Sequence, residues 1–79
     1  METTLDRLRE GDCARILRLD LRGAMHRRLL DFGMIEGTEI RCLRKSPAGD
    51  PVIYRVRGTM LALRRQDSKL IAVEVIPCG

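Results

Sequence analysis

The chain is poor in aromatic and imidazole chemistry: it has no tryptophan, and Phe32, Tyr54 and His26 are all that it carries. A Ser-His or Cys-His catalytic pair would therefore hang on His26 alone, with no flanking motif to support it. Small barrels that hold single-stranded nucleic acid stack bases on exposed aromatics, and grooves that read P-x-x-P segments are lined by them, so both occupations are disfavoured. There is no G-x-x-x-x-G-K-[ST] and no G-x-G-x-x-G, hence no recognisable loop for a nucleotide phosphate. No run approaches the ~18 unbroken apolar residues of a membrane span, and Met-Glu-Thr-Thr-Leu-Asp does not start like a secretory signal. Cys13, Cys42 and Cys78 are odd in number and share neither C-x-x-C nor metal-ligand spacing. Reduced thiols in a cytoplasmic protein, without a disulfide framework, are expected. The residues call for no enzyme and no cofactor.

What is present is 79 residues, 44% of them apolar and mostly aliphatic. A chain of this length buries only about 60% of the surface its unfolded form exposes, which suits one small domain over residues 1–79. Thirteen of its fifteen basic residues are arginine, and the net charge is +4. The planar guanidinium fork suits carboxylates and phosphates, so an acidic protein surface and a nucleic-acid backbone both stay open on charge alone.

Gly11, Gly23, Gly33, Gly37, Ser46–Pro51 and Gly58 punctuate runs of five to ten residues, the rhythm of short strands. The run from Cys13 to Leu19 begins as an alternating strand and loses alternation near Leu17, where a bulge is expected. Residues 23–32 put Met25, Leu29 and Phe32 at helical spacing, with Gly33 placed as a left-handed C-terminal cap. Strands are predicted over Thr38–Arg44, Val52–Arg57, Thr59–Arg64 and Leu70–Ile76. They bury Ile40, Cys42, Tyr54, Leu61, Leu63, Ile71, Val73 and Val75 by alternation, with a turn at Gly58 and one helical turn over Arg65–Lys69. Five short antiparallel strands with one helix inserted after the first are best closed as a small barrel, SH3-like or OB-like, because closure removes exposed edges.

The same alternation turns Arg41, Arg55 and Arg57 outward on adjacent strands as one basic stripe, or as a solvated face interleaved with Glu39, Asp50 and Glu74. Leu30 and Met60 are poorly placed for the core. An exposed apolar patch bordered by Arg27 and Arg28 is thus a candidate partner surface, with packing against a neighbouring loop as the structural alternative. His26 is read as structural or solvated; a weak divalent-metal site in which it meets carboxylates of a neighbouring molecule stays open.

Arg28-Leu29-Leu30-Asp31-Phe32-Gly33-Met34, Gly37-Thr38, Pro47 with Gly49-Asp50-Pro51, Arg57-Gly58, Leu61–Arg65 and Ile71–Glu74 together resemble the FeoA family, across about Leu8 to Ile76. Within that resemblance Leu29, Gly33, Gly37, Gly49, Asp50, Pro51 and Gly58 are the structural motif. Two positions depart from it: Glu36 stands where the family commonly has Pro, and Ala48 replaces a larger apolar residue in the loop. The resemblance implies an SH3-like barrel that is a non-catalytic accessory of bacterial ferrous iron uptake. Its implied partner is the cytoplasmic GTPase region of a FeoB-like ferrous iron transporter, so that it reaches the membrane through that partner only. Similar domains end metal-dependent repressors of the DtxR type, which together with a nucleic-acid-binding small barrel forms the alternative. With no helix-turn-helix ahead of it, the chain looks more like the transport accessory. Homo-oligomerisation stays open.

Overall fold

A computed structural model describes all residues, Met1–Gly79. Six antiparallel strands form one curved sheet in the order β1-β6-β2-β3-β4-β5, with β1 Glu2–Thr4, β2 Cys13–Leu19, β3 Glu39–Lys45, β4 Val52–Val56, β5 Thr59–Leu63 and β6 Ile71–Ile76. Helix α1 spans Ala24–Asp31 between β2 and β3, and the one-turn α2 spans Arg65–Ser68 before β6. The five expected strands and the helix after the first of them are all present. The additional strand β1 pairs with β6, Thr3 opposite Val73. It is followed by a 3₁₀ turn at Leu5–Arg7 that drops Leu5 into the core.

The core is aliphatic. Ala14, Ile16, Ile40, Cys42, Val56, Ile71 and Val73 meet from the inner faces of β2, β3, β4 and β6, with Leu29 from α1 and Met34 just after it. Tyr54 is buried among them and donates its hydroxyl to the Leu5 carbonyl at 3.4 Å. That burial pushes its pKa from 10 up to about 12, and burial likewise raises the Cys42 thiol. The bulge expected near Leu17 lies between Ile16 and Arg18 in the pairing of β2 with β6. A second bulge, between Cys42 and Arg44, bends β3 against β4.

Helix α1 has no side-chain cap at Gly23 and no acidic residue in its first turn. At eight residues it is too short to persist alone, and it is held by the docking of Leu29 and by its C-terminal end. There the Gly33 N–H donates to the Leu30 carbonyl at 2.9 Å and the Met34 N–H to that of Leu29 at 3.0 Å. This is the Schellman closure, with Gly33 at φ 87°.

Three expectations are corrected. Phe32, expected to close the helix stripe in the core, is 37% exposed. The Schellman turn carries the chain inward one step later, and Met34 fills the place instead. Val75, expected inward, is 41% exposed: it lies opposite Ala14 in the β2–β6 register but toward the end of β6, where the strand has run past its buried stretch Ile71–Val73. The expectation of reduced thiols without a disulfide is overturned for two of the three cysteines: Cys13 and Cys78 are bonded, with Cα atoms 5.3 Å apart. Linear spacing could not show this. Cys13 lies opposite Ile76 in the β2–β6 register, so two residues beyond Ile76 the chain is back beside it. Cys42 remains a free, buried thiol.

Candidate functional site: an arginine row and the end of the helix

Antiparallel register fixes what shares a face. Arg41 on β3 stands directly opposite Arg55 on β4, and Arg55 directly opposite Met60 on β5. Cys13 lies opposite Arg41 on the other side, so one row crosses four strands as Cys13, Arg41, Arg55, Met60. Like charges directly opposite each other on a sheet are destabilising. The ion pairs of the molecule are made by Arg15, Arg18 and Arg65, so neither Arg41 nor Arg55 has a carboxylate partner. Both are exposed, and Met60 is 66% exposed. Half-buried Leu43 and Ile53 lie beside them on the outer face. The row is basic, apolar-edged and unneutralised.

The turn after β4 joins this row to the helix. Arg57 and Gly58 both have positive φ, 52° and 78°, the type I′ geometry that suits the twist of a two-residue hairpin. Asn-Gly is the usual occupant, and arginine in the left-handed region costs about 1–2 kcal/mol. The Arg57 side chain runs back over Gly33: a Cβ built at position 33 would stand 2.5 Å from the Arg57 Cδ. Its guanidinium is thereby brought to the carbonyl end of α1, where a cation is favoured.

On α1 itself, Leu29 is buried while Leu30 is 41% exposed. At about 100° per residue, Arg27 lies about 60° from Leu30 and borders it, whereas Arg28 falls on the opposite flank beside Phe32. Ile35, just past the helix, is also exposed. Sequence patterning placed Phe32 in the core by its helical spacing and assigned Ile35 no role, so neither was read as a surface residue.

The structural motif residues do different work. Gly37 donates to the Ile16 carbonyl at 2.7 Å and Ile16 to that of Thr38 at 2.8 Å, stitching the entry of β3 to β2. In the loop Gly49-Asp50-Pro51, whose Asp50–Pro51 peptide is cis, an Asp50 carboxylate oxygen accepts the Arg65 N–H at 2.9 Å. The loop is thus tied to the start of α2. His26 lines an open cleft with Leu19, Asp20, Leu21, Arg22 and Gly23. No three His, Cys, Asp or Glu side chains converge anywhere in the fold to hold a metal ion. No helix is long and apolar enough to cross a membrane.

Residues 3–75 match the model of the FeoA domain. The chain is 39% identical over 72 residues to the Fe(2+) transport protein A/Fe(2+) transporter FeoB fusion protein of Porphyromonas gingivalis, spanning 91% of this chain but 8% of that protein. It is similar in structure to the FeoA protein of Chlorobium tepidum, with TM-score 0.90 and 32% identity over 95% of this chain and 71% of that one. The zinc complex of Stenotrophomonas maltophilia FeoA, described as a prokaryotic SH3 domain protein, matches with TM-score 0.80 and 33% identity over 91% of this chain and 89% of that one. The six-stranded fold is therefore SH3-like, and the chain belongs to the FeoA domain family.

Proposed function

We propose that this chain is a non-catalytic accessory of bacterial ferrous iron uptake, docking on the cytoplasmic GTPase region of a FeoB-like ferrous iron transporter and modulating transport. The observation that carries this reading is the Porphyromonas gingivalis relative, in which a segment 39% identical to this chain is part of the same polypeptide as the transporter FeoB. Fusion of two proteins in one chain favours a working association between them, because it raises their effective concentration to about the millimolar range.

The surface supports the same reading. Arg41, Arg55, Arg57 and Met60, together with Arg27 and Leu30 on one flank of the helix and Arg28 on the other, combine exposed apolar groups with guanidinium forks that have no internal carboxylate. Arginine beside apolar surface is the composition enriched at protein interfaces, and the geometry suits carboxylates of a partner. Co-purification with an intact FeoB-like transporter tests the proposal. Association at low salt that weakens as salt is raised supports it. No association at tens of micromolar, with unchanged iron uptake when the gene is deleted, removes it.

A further inference from the structure

The two borders of the sheet differ. At one, β1 is three residues long and begins with a charged side chain, Glu2, so it is short and blunted. At the other, β5 reads Thr59-Met60-Leu61-Ala62-Leu63, five residues without a charge or a proline. Proteins ordinarily protect such an edge with lysine, proline, a bulge or a covering element. The register of β5 on β4 is unbroken from Val56 opposite Thr59 to Val52 opposite Leu63.

That register decides which backbone groups are free. In a two-residue hairpin the residues flanking the turn exchange hydrogen bonds, and bonded pairs then alternate with unbonded ones. Thr59, Leu61 and Leu63 therefore bond to β4, while the N–H and C=O groups of Met60 and Ala62 point off the edge. No backbone or side-chain hydrogen bond outside the ladder reaches either residue. Met60 and Ala62 are both exposed.

We infer that β5 is a docking edge that accepts an extended, acidic segment of a partner protein as a seventh strand. The occupant is set by charge. A strand added beside β5 carries its outward side chains on the face that holds Arg55 and Arg41, about 10 Å from Arg55 across two strand spacings. A glutamate there and the long arginine side chain can meet over Met60. A second copy of this chain would bring another +4 and another arginine row to the same place, which opposes self-pairing. This inference deepens the proposed function by naming a mode of attachment, and it rests on that reading for the identity of the partner.

Amide hydrogen exchange reads the edge directly. In the isolated chain, Met60 and Ala62 should exchange fast while Thr59, Leu61 and Leu63 are protected; uniform protection of all five overturns the inference. With the intact transporter added in detergent, exchange of the 59–63 segment should slow at least tenfold. Ala62→Pro removes an N–H that bonds nothing in this fold, so the variant should keep the native spectrum and lose at least tenfold in transporter binding. If Ala62→Pro unfolds the chain, the exchange of the unsubstituted protein still decides. Binding without slower exchange at 59–63 overturns the strand and leaves the proposed function standing, whereas failure of the unsubstituted chain to bind overturns both. Protection that grows with the concentration of this chain alone means that a second copy fills the edge and overturns the assigned occupant.

Discussion

The Arg57 side chain lies across Gly33, so close that a Cβ at position 33 would come within 2.5 Å of the Arg57 Cδ. The contact joins the β4–β5 turn to the end of α1 and makes one surface of two segments that are distant in sequence. Gly33→Ala should destabilise the fold by about 1–2 kcal/mol, because alanine is held at φ 87°, and should also displace Arg57. Arg57→Asn places a favoured residue in the type I′ turn and should leave stability within about 1 kcal/mol while weakening transporter binding. Denaturant melts beside a binding assay separate the two effects.

Adjacent leucines on α1 should behave oppositely. Leu29→Gln puts an unpartnered amide into the core and should cost about 3 kcal/mol. Leu30→Gln, at an exposed position, should cost no more than about 0.5 kcal/mol yet weaken the partner complex. Unfolding of the Leu30 variant would show that this side chain supports the fold instead of an interface.

The disulfide gives a third expectation. Cys13 and Cys78 close a loop of sequence separation 65, and removing such a crosslink typically costs about 2–4 kcal/mol. Paired Cys13→Ser and Cys78→Ser substitutions, or reductant in a thermal melt, should lower stability by that amount while the buried Cys42 stays unreactive to thiol reagents. Unchanged stability would mean that the tail beyond β6 contributes nothing to the fold.

Tyr54 predicts behaviour in alkali. Its pKa is raised to about 12 in the fold, mainly by burial, against 10 unfolded. Between these values the unfolded chain has lost a proton that the folded one keeps, so stability falls as pH rises through the window and is fully present below pH 10. At about 1.4 kcal/mol per unit, the loss attributable to Tyr54 is about 2–3 kcal/mol, read from denaturant melts while tyrosinate absorbance reports the ionisation. Tyr54→Phe should remove this component of the pH dependence.

Most of the barrel was legible because alternation is a local signal. Ile40, Cys42, Tyr54, Leu63 and Val73 are buried as their strand positions require, and Gly33 caps the helix as its position after the apolar stripe requires. What escaped depends on non-local geometry. Three residues of β1 carry too little pattern to announce a strand, and Leu5 is drawn inward by the 3₁₀ turn that follows. Phe32 gave way to Met34 because the Schellman turn redirects the chain, and the cysteine pairing exists only once β2 and β6 lie side by side. At the candidate site, outward arginines and an exposed Leu30 could be read from period and phase. The direct opposition of Arg41 and Arg55 and the contact of Arg57 with Gly33 needed the register and the fold.

The affinity of the chain for the intact transporter, measured at two salt concentrations for the unsubstituted protein and for Arg41→Glu with Arg55→Glu, tests the central claim most directly. The account predicts binding that weakens with salt and a loss of at least tenfold, about 1.4 kcal/mol, on charge reversal, with the folded state retained. Absence of binding by the unsubstituted chain, or equal binding by the folded charge-reversed one, would contradict it.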